Sequence, residues 1–212
     1  KNAGCKSKED VVFTIKKIID DILAESTSLT LIGGDVSSEF SIFELFVKML
    51  RKLAGSGRRT FVFVLGNHEL WNFPGLSVDE IVDKYRTVLK ENGMYLLHND
   101  LFYRNESDDM GIIPYDELIQ SDNPAILEKL RCTRLVILGG LGFSGYNEEF
   151  NANDGVYRAT VDRNTEIQES KKFEQLYDKL TDVLAKKNTV IFTHTPKKDW
   201  CVDAVSYTHL TL

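Results

Sequence analysis

Cysteine is scarce in this sequence, and long apolar runs are absent from it. The 212 residues include three cysteines, Cys5, Cys132 and Cys201, and no two of them form a Cys-x-x-Cys pair. This spacing argues against a disulfide framework and against a zinc knuckle, so we expect three free thiols. No apolar run approaches the roughly 18 residues of a membrane-spanning helix, and no signal-peptide pattern opens the chain. We therefore expect no membrane contact and a cytoplasmic location.

Positive charge is in the minority. Lys and Arg number 26 against 32 Asp and Glu, which gives a formal net charge of -6. Proteins that coat nucleic acid carry a basic patch, so we do not expect a nucleic-acid partner. An anionic substrate is still compatible with this charge, because bound metal ions would reverse the local field.

A phosphate-binding glycine loop is also missing. Residues 139–145 are rich in glycine, but they lack the order Gly-x-x-x-x-Gly-Lys-(Ser/Thr), and a polar stretch at 146–158 follows in place of a helix. Such a loop binds phosphate through the N-terminus of the helix that follows it. We therefore exclude a P-loop nucleotide site. We expect close backbone packing at 139–145 and a substrate-side lid at 146–158.

Polar residues that could bind metal or transfer protons directly follow three apolar runs. Each run is typical of a buried strand, and a parallel sheet brings such strand ends to one edge, where α/β proteins bind ligands. A single block of this kind is equally compatible with an ordinary turn at the end of a strand. Carboxylate, amide oxygen and imidazole together suit Mn, Fe or Zn. The runs and their polar residues are 29–32 with Asp35, 61–65 with Asn67 and His68, and 190–193 with His194.

These blocks resemble those of the calcineurin-like metallophosphoesterases. That family carries, in order, Asp-x-His, Gly-Asp, Gly-Asn-His-(Asp/Glu), a His after a strand, and Gly-His-x-His. The three middle blocks stand here as Gly34-Asp35, residues 66–69 and Thr193-His194, whereas the first and last blocks are not found. The resemblance spans roughly residues 29 to 200.

The resemblance implies a function and a role for each site residue. Asp35 would bridge two divalent ions, and Asn67 and His194 would bind one of them. His68 would be the catalytic residue that donates to the leaving or phosphoryl oxygen, and Glu69 would orient its neighbours. The full-length protein would then hydrolyse a phosphate mono- or diester, with a phosphorylated substrate of unassigned class.

The implied fold is a layered α/β-sandwich with a central, mostly parallel sheet, flanking helices and room for a second sheet. A length of 212 residues and a hydrophobic fraction of 42% suit one globular domain. The order strand, helix, strand between residues 29 and 65 favours a right-handed βαβ unit with parallel strands. Capping boxes predict helices that begin near Ser7, Ser41 and Ser77.

The stretch from residue 94 to residue 109 predicts turns and short strands. Residues 94–97 and 101–103 are typical of the two strands of a hairpin, and residues 105–109 of an acidic turn. His98 lies in the predicted hairpin turn. Because nothing in the sequence links it to another candidate ligand, we expect it to have a turn or surface role.

The two missing blocks lead us to expect a domain at residues 1–204 that is truncated at both ends. Residues 205–212 resemble a translated sequencing adapter, so we interpret them as a non-native tail in which His209 has no role. By resemblance, three of four protein ligands remain for one metal ion and only one of four for the other. We therefore expect at most one weakly held ion and essentially no activity in this fragment.

An alternative from another functional class is a non-catalytic scaffold of the same fold that binds protein partners. The presence of His68 argues against this alternative, because a scaffold has no use for a general acid at that position. The sequence does not distinguish among substrate classes and does not indicate an oligomeric state.

Overall fold

A computed structural model describes residues 7–55, 59–143 and 163–196 of the protein. Its helices are α1 (Lys8–Glu25), α2 (Phe40–Ala54), α3 (Val78–Glu91), α4 (Tyr115–Gln120), α5 (Asn123–Lys129) and α6 (Arg163–Leu184). Its strands are β1 (Leu29–Ile32), β2 (Thr60–Phe63), β3 (Tyr95–Leu96), β4 (Asp100–Asn105), β5 (Met110–Ile113), β6 (Thr133–Gly142) and β7 (Thr189–Thr195). A 3₁₀ turn, His68–Leu70, follows β2.

The strands form two sheets. The first has the order β1-β2-β3 and is parallel throughout, with Leu31 opposite Val62 and Val62 opposite Tyr95. The second has the order β5-β4-β6-β7, in which β6 and β7 are parallel and the other pairs are antiparallel. The predicted parallel pairing of β1 with β2 is confirmed.

Alternation along β2 explains why the two sheets pack face to face. Phe61 and Phe63 point into a core formed with α1, α2 and α3, whereas Val62 and Val64 point the other way, into a core shared with the second sheet. The second sheet packs its other face against α4, α5 and α6. The α/β-sandwich is confirmed, with its helices on the two outer faces and the two sheets between them.

Two of the three predicted capping boxes are confirmed and one is wrong. The side chains of Ser7 and Ser77 each accept the backbone N–H three residues on, and their own backbone N–H groups donate to the side chains of Asp10 and Glu80. Ser41 does not cap α2, which begins at Phe40 after Glu39. The earlier start lets Phe40 pack edge-on against Tyr85, with ring centroids 5.1 Å apart, so tertiary packing overrides the local capping signal.

The predicted hairpin between residues 94–97 and 101–103 is wrong. β3 pairs with β2 in the first sheet, and β4 pairs with β5 and β6 in the second. The chain passes from one sheet to the other at Asn99, which has φ +62°. The acidic turn at 105–109 is present and joins β4 to β5, where the Asn105 amide donates to Asp109 O.

The first four residues of the glycine-rich segment, 139–142, form the end of β6. A Cβ at Gly139 would lie 2.7 Å from Leu97 Cδ1, and one at Gly140 would lie 2.8 Å from Asn99 Oδ1. The expected close packing is therefore confirmed for these two glycines. The predicted lid at 146–158 and the predicted tail at 205–212 lie outside the described residues.

None of the helices in the described ranges combines the length and apolar character needed to cross a bilayer.

Candidate metal-binding and catalytic site

The carboxyl ends of β1, β2 and β7 lie together, although β7 belongs to the second sheet. His194 on β7 contacts Gly33 and Asn67, which follow β1 and β2. The strand ends lie together as expected, but they belong to two sheets and not to the edge of a single parallel sheet. β7 is also longer than predicted, because it continues through His194 to Thr195.

The loops after β1 and β2 touch through their backbones. Gly34 has φ +85°, and a Cβ there would lie 2.3 Å from Gly66 N, so no side chain fits between the loops. Asp35 adopts φ +56°, a left-handed conformation that costs a residue with a Cβ roughly 1–2 kcal/mol. The Asp35 carboxylate in turn accepts the His68 amide at 3.1 Å.

His194 faces two oxygen atoms through one ring nitrogen. Its Nδ1 lies 2.7 Å from Gly33 O, a carbonyl that can only accept, so Nδ1 carries the proton. Its Nε2 then points at Asn67 Oδ1, 3.2 Å away, and at Asp35 Oδ1, 3.5 Å away. A proton or a cation among these three atoms would make this arrangement favourable, because each of them offers a lone pair when Nε2 is unprotonated.

His68 is restrained on its backbone and on its ring face. Its Nε2 is 3.8 Å from Asp35 Oδ2, and its side chain is 19% exposed, so solvent can reach it. Its ring stacks on Trp71 with centroids 3.7 Å apart and planes at 28°. A 3₁₀ turn eclipses residues i and i+3, which places the two rings over each other. The contact of Trp71 with His68 was not predicted from the sequence. The position of Trp71 three residues after His68 is the pattern that could have indicated it.

Both carboxyl oxygens of Glu69 are occupied by hydrogen bonds to the backbone. Its side chain is fully buried and accepts the backbone N–H groups of Asp35, Ser37 and Gly66. Burial raises the pKa of the Glu69 carboxyl and the charge of Asp35 raises it further, while the three N–H groups act to lower it. These contacts agree with the expectation that Glu69 orients its neighbours.

Comparison with known protein families decides which family these residues belong to. The family model described as calcineurin-like phosphoesterase matches residues 10–210. The chain is a calcineurin-like phosphoesterase. No curated protein and no solved structure gives a significant match to it. Family membership establishes a phosphoesterase hydrolase in general terms and implies divalent metal ions, and it leaves the substrate open.

Three side chains with metal-binding chemistry converge in this phosphoesterase. Asp35, Asn67 and His194 offer a carboxylate, an amide oxygen and an imidazole from three different strand ends, and the bond from His194 to Gly33 O is the kind of outer contact that orients a ligating histidine. Within the described part of the chain, no group of three or more His, Cys, Asp or Glu side chains is arranged to hold a metal ion.

His98 has a different role in this phosphoesterase from the one expected. It is buried rather than exposed, and its Nε2 lies 3.1 Å from Glu169 Oε2 on α6. The Glu169 carboxylate also accepts from Lys172. Because His98 and Glu169 are 71 positions apart in the chain, no local pattern could have indicated this pair. The described contacts of His98 do not include Asp35, Asn67, His68 or His194.

Proposed function

We propose that the full-length protein hydrolyses a phosphate mono- or diester at a centre of two divalent metal ions of the Mn, Fe or Zn type. The observation that carries the proposal is the convergence of His194 Nε2, Asn67 Oδ1 and Asp35 Oδ1 with His194 Nδ1 already bonded to Gly33 O. All three converging atoms offer lone pairs when the imidazole is neutral. Such a cluster suits a cation, and a phosphorylated substrate would bring negative charge to it.

The proposal gives the chain's own residues separate roles. Asp35, with its two carboxylate oxygens, would bridge the ions, while Asn67 and His194 would hold one of them. Bound divalent ions would supply an activated water and neutralise charge on the phosphoryl group. His68 would stay outside the ligand set and hold a proton at Nε2 for the leaving or phosphoryl oxygen. Its ring is suited to this because it is partly exposed and held by Trp71.

The proposal also predicts how much metal residues 1–212 bind, and how active they are, when they are studied alone. A set of three protein ligands can retain an ion with water completing its coordination, whereas a single carboxylate competes poorly with solvent. We therefore propose that this chain holds at most one weakly bound ion. Phosphoesterase activity would be essentially absent until the second ion has its remaining ligands.

Metal titration with matched aspartate variants tests the proposal. Mn²⁺ is added to the purified chain and followed by electron paramagnetic resonance, alongside Asp35→Asn and a control, Asp116→Asn, which changes an exposed aspartate on α4. We expect up to one Mn²⁺ per chain, lost in Asp35→Asn and retained in the control. Hydrolysis of an aryl phosphodiester is measured on the same samples. Two tightly bound ions, or equal binding by Asp35→Asn, would contradict the proposal.

A further inference from the structure

A single buried carboxylate joins the two loops that carry Asp35 and Asn67. Glu69 Oε2 accepts the N–H groups of Asp35 and Gly66, each at 2.8 Å, and Oε1 accepts the N–H of Ser37 at 3.1 Å. Asp35 and Ser37 belong to the loop after β1, whereas Gly66 belongs to the loop after β2. The carboxylate therefore bridges two segments more than 30 positions apart in the sequence.

The three N–H groups occupy both oxygens of the buried Glu69 carboxyl. A buried carboxyl without such hydrogen-bond donors would be costly. A role as a metal ligand would require breaking at least one of these bonds, so the contacts point to a role in holding the backbone.

The conformation that Glu69 holds would not be favoured by the local sequence alone. Asp35 has φ +56°, which is unfavourable for a residue with a Cβ. The Asp35 carboxylate also packs against Gly66 so closely that a Cβ on Gly66 would lie only 2.1 Å from Asp35 Oδ1. A bond from the Asp35 amide to a fixed acceptor offsets this cost and sets the direction of the Asp35 side chain.

Glu69 is itself hydrogen-bonded to the core between the first sheet and helices α1, α2 and α3. The Tyr85 hydroxyl donates to Glu69 O at 2.9 Å, and Tyr85 is fully buried on α3. The Tyr85 ring packs edge-on against Phe43 of α2, with centroids 4.6 Å apart. The carboxylate is therefore presented to the two loops from a rigid support rather than from a mobile turn.

We infer that Glu69 is a positioning residue, whose carboxylate holds Asp35 and the Gly66–Asn67 backbone in their metal-binding arrangement before any metal is bound. The inference rests on the proposed function, because it takes Asp35 and Asn67 as metal ligands. It adds that the site of this chain is preorganised by hydrogen bonds to one buried side chain. Preorganisation raises affinity because less ordering remains to be done on binding.

Amide hydrogen exchange on the metal-free chain tests the inference directly. The amides of Asp35, Ser37 and Gly66 are expected to be protected in the wild type. In Glu69→Gln their exchange should accelerate by about 5- to 10-fold, the equivalent of about one hydrogen bond, while the β2 amides in the sheet stay unchanged. The matched control is Glu169→Gln, which alters another buried glutamate, on α6, and should leave these three amides as they are.

Mn²⁺ affinity of the same variants supplies the functional measurement. Glu69→Gln is expected to bind Mn²⁺ about 10- to 100-fold more weakly, as loss of an outer contact does at other metal sites, and Glu169→Gln should bind like the wild type. Both variants are measured well below their unfolding temperatures. A purely structural role would lower the unfolding temperature without this change in affinity.

The outcomes separate the inference from the proposed function. If the wild type binds no Mn²⁺ but its three amides are protected and lose protection only in Glu69→Gln, the function fails while the positioning role stands. If the three wild-type amides exchange freely, the inference is overturned whatever the variants do. It is also overturned if the Gln variant folds with the three amides protected as before, or if the wild type binds Mn²⁺ and the Gln variant binds it as tightly.

Discussion

At the scale of single residues, the contacts of His68 predict what its removal should do. The amide of His68 reaches Asp35 Oδ1 through the backbone, so the proposed ligand does not depend on the imidazole. In a metal-loaded preparation that hydrolyses an aryl phosphodiester, His68→Asn should lower turnover about 10²- to 10⁴-fold, the usual worth of a general acid. Metal analysis of the same samples should show little change. Metal loss as large as that of Asp35→Asn would mean that His68 is a ligand.

Trp71 offers a second prediction at this scale, and it requires no metal. The indole ring lies 3.7 Å from the His68 ring, so its ring current shields the imidazole protons. Trp71→Leu should move the His68 C–H resonances downfield in the proton spectrum of the metal-free chain, whereas Trp71→Phe should retain part of the shielding. His68→Asn assigns the resonances. Identical His68 shifts in the Leu variant would show that the rings are not stacked in solution.

At the scale of elements, α6 is tied to the segment between β3 and β4 by a buried polar contact. Burial acts to raise the pKa of the Glu169 carboxyl, but the hydrogen bonds and charges of His98 and Lys172 bring it below its ordinary value of 4.5. A carboxyl with a lowered pKa stabilises the fold above its ordinary pKa, and this contribution is lost as the pH falls through the folded value. The contact should therefore weaken in acid.

The lowered pKa of Glu169 predicts how the stability of the protein depends on pH. The difference in unfolding free energy between the wild type and Glu169→Gln should be largest near neutral pH and should shrink below pH 4.5. Urea denaturation at several pH values measures it. For Lys172 the direction is opposite. Burial acts to lower the pKa of its ammonium group, but Glu169 raises this pKa above 10.5. The contribution of Lys172 to stability is therefore lost only in strong alkali. A difference that grows in acid would contradict this assignment.

The elements also show what sequence reasoning could and could not reach. Apolar runs predicted β1, β2 and β7 as strands, although only β2 is buried at every position and the other two are mostly half-buried. The hairpin at residues 94–103 was mistaken because two adjacent short strands can pair with each other or with other partners, and only tertiary packing decides. His98 was misjudged because its partner, Glu169, is distant in the chain.

At the scale of the whole molecule, the layer between the two sheets predicts where stability is concentrated. Val62 is fully buried in this layer, whereas Val190 on β7 is 37% exposed. Val62→Ala should lower the unfolding free energy by roughly 2–3 kcal/mol, from lost burial and an unfilled cavity. Val190→Ala is the matched control and should cost much less. Equal effects in urea denaturation would show that the layer is not a tightly packed core.

The presence of a second sheet was left open by the sequence for a related reason. The run at residues 61–65 is apolar at every position, which indicates burial on both faces but does not say whether a helix or a sheet covers each face. The candidate residues Asp35, Asn67, His68 and His194 were found without this knowledge, since each comes shortly after an apolar run in the sequence. The orienting role of Glu69 was also expected. The convergence across two sheets, the backbone N–H groups that Glu69 accepts and the stacking of Trp71 on His68 required the tertiary structure.

The division of the site between two sheets has a consequence for the order of events during synthesis. Asp35 and Asn67 leave the ribosome early, whereas His194 is translated 127 positions after Asn67 and reaches it only when β7 has docked beside β6. A nascent chain that has formed only the first sheet therefore lacks the imidazole that completes the lone-pair cluster. The proposed ion site would therefore be complete only late in assembly, after β7 has taken its place.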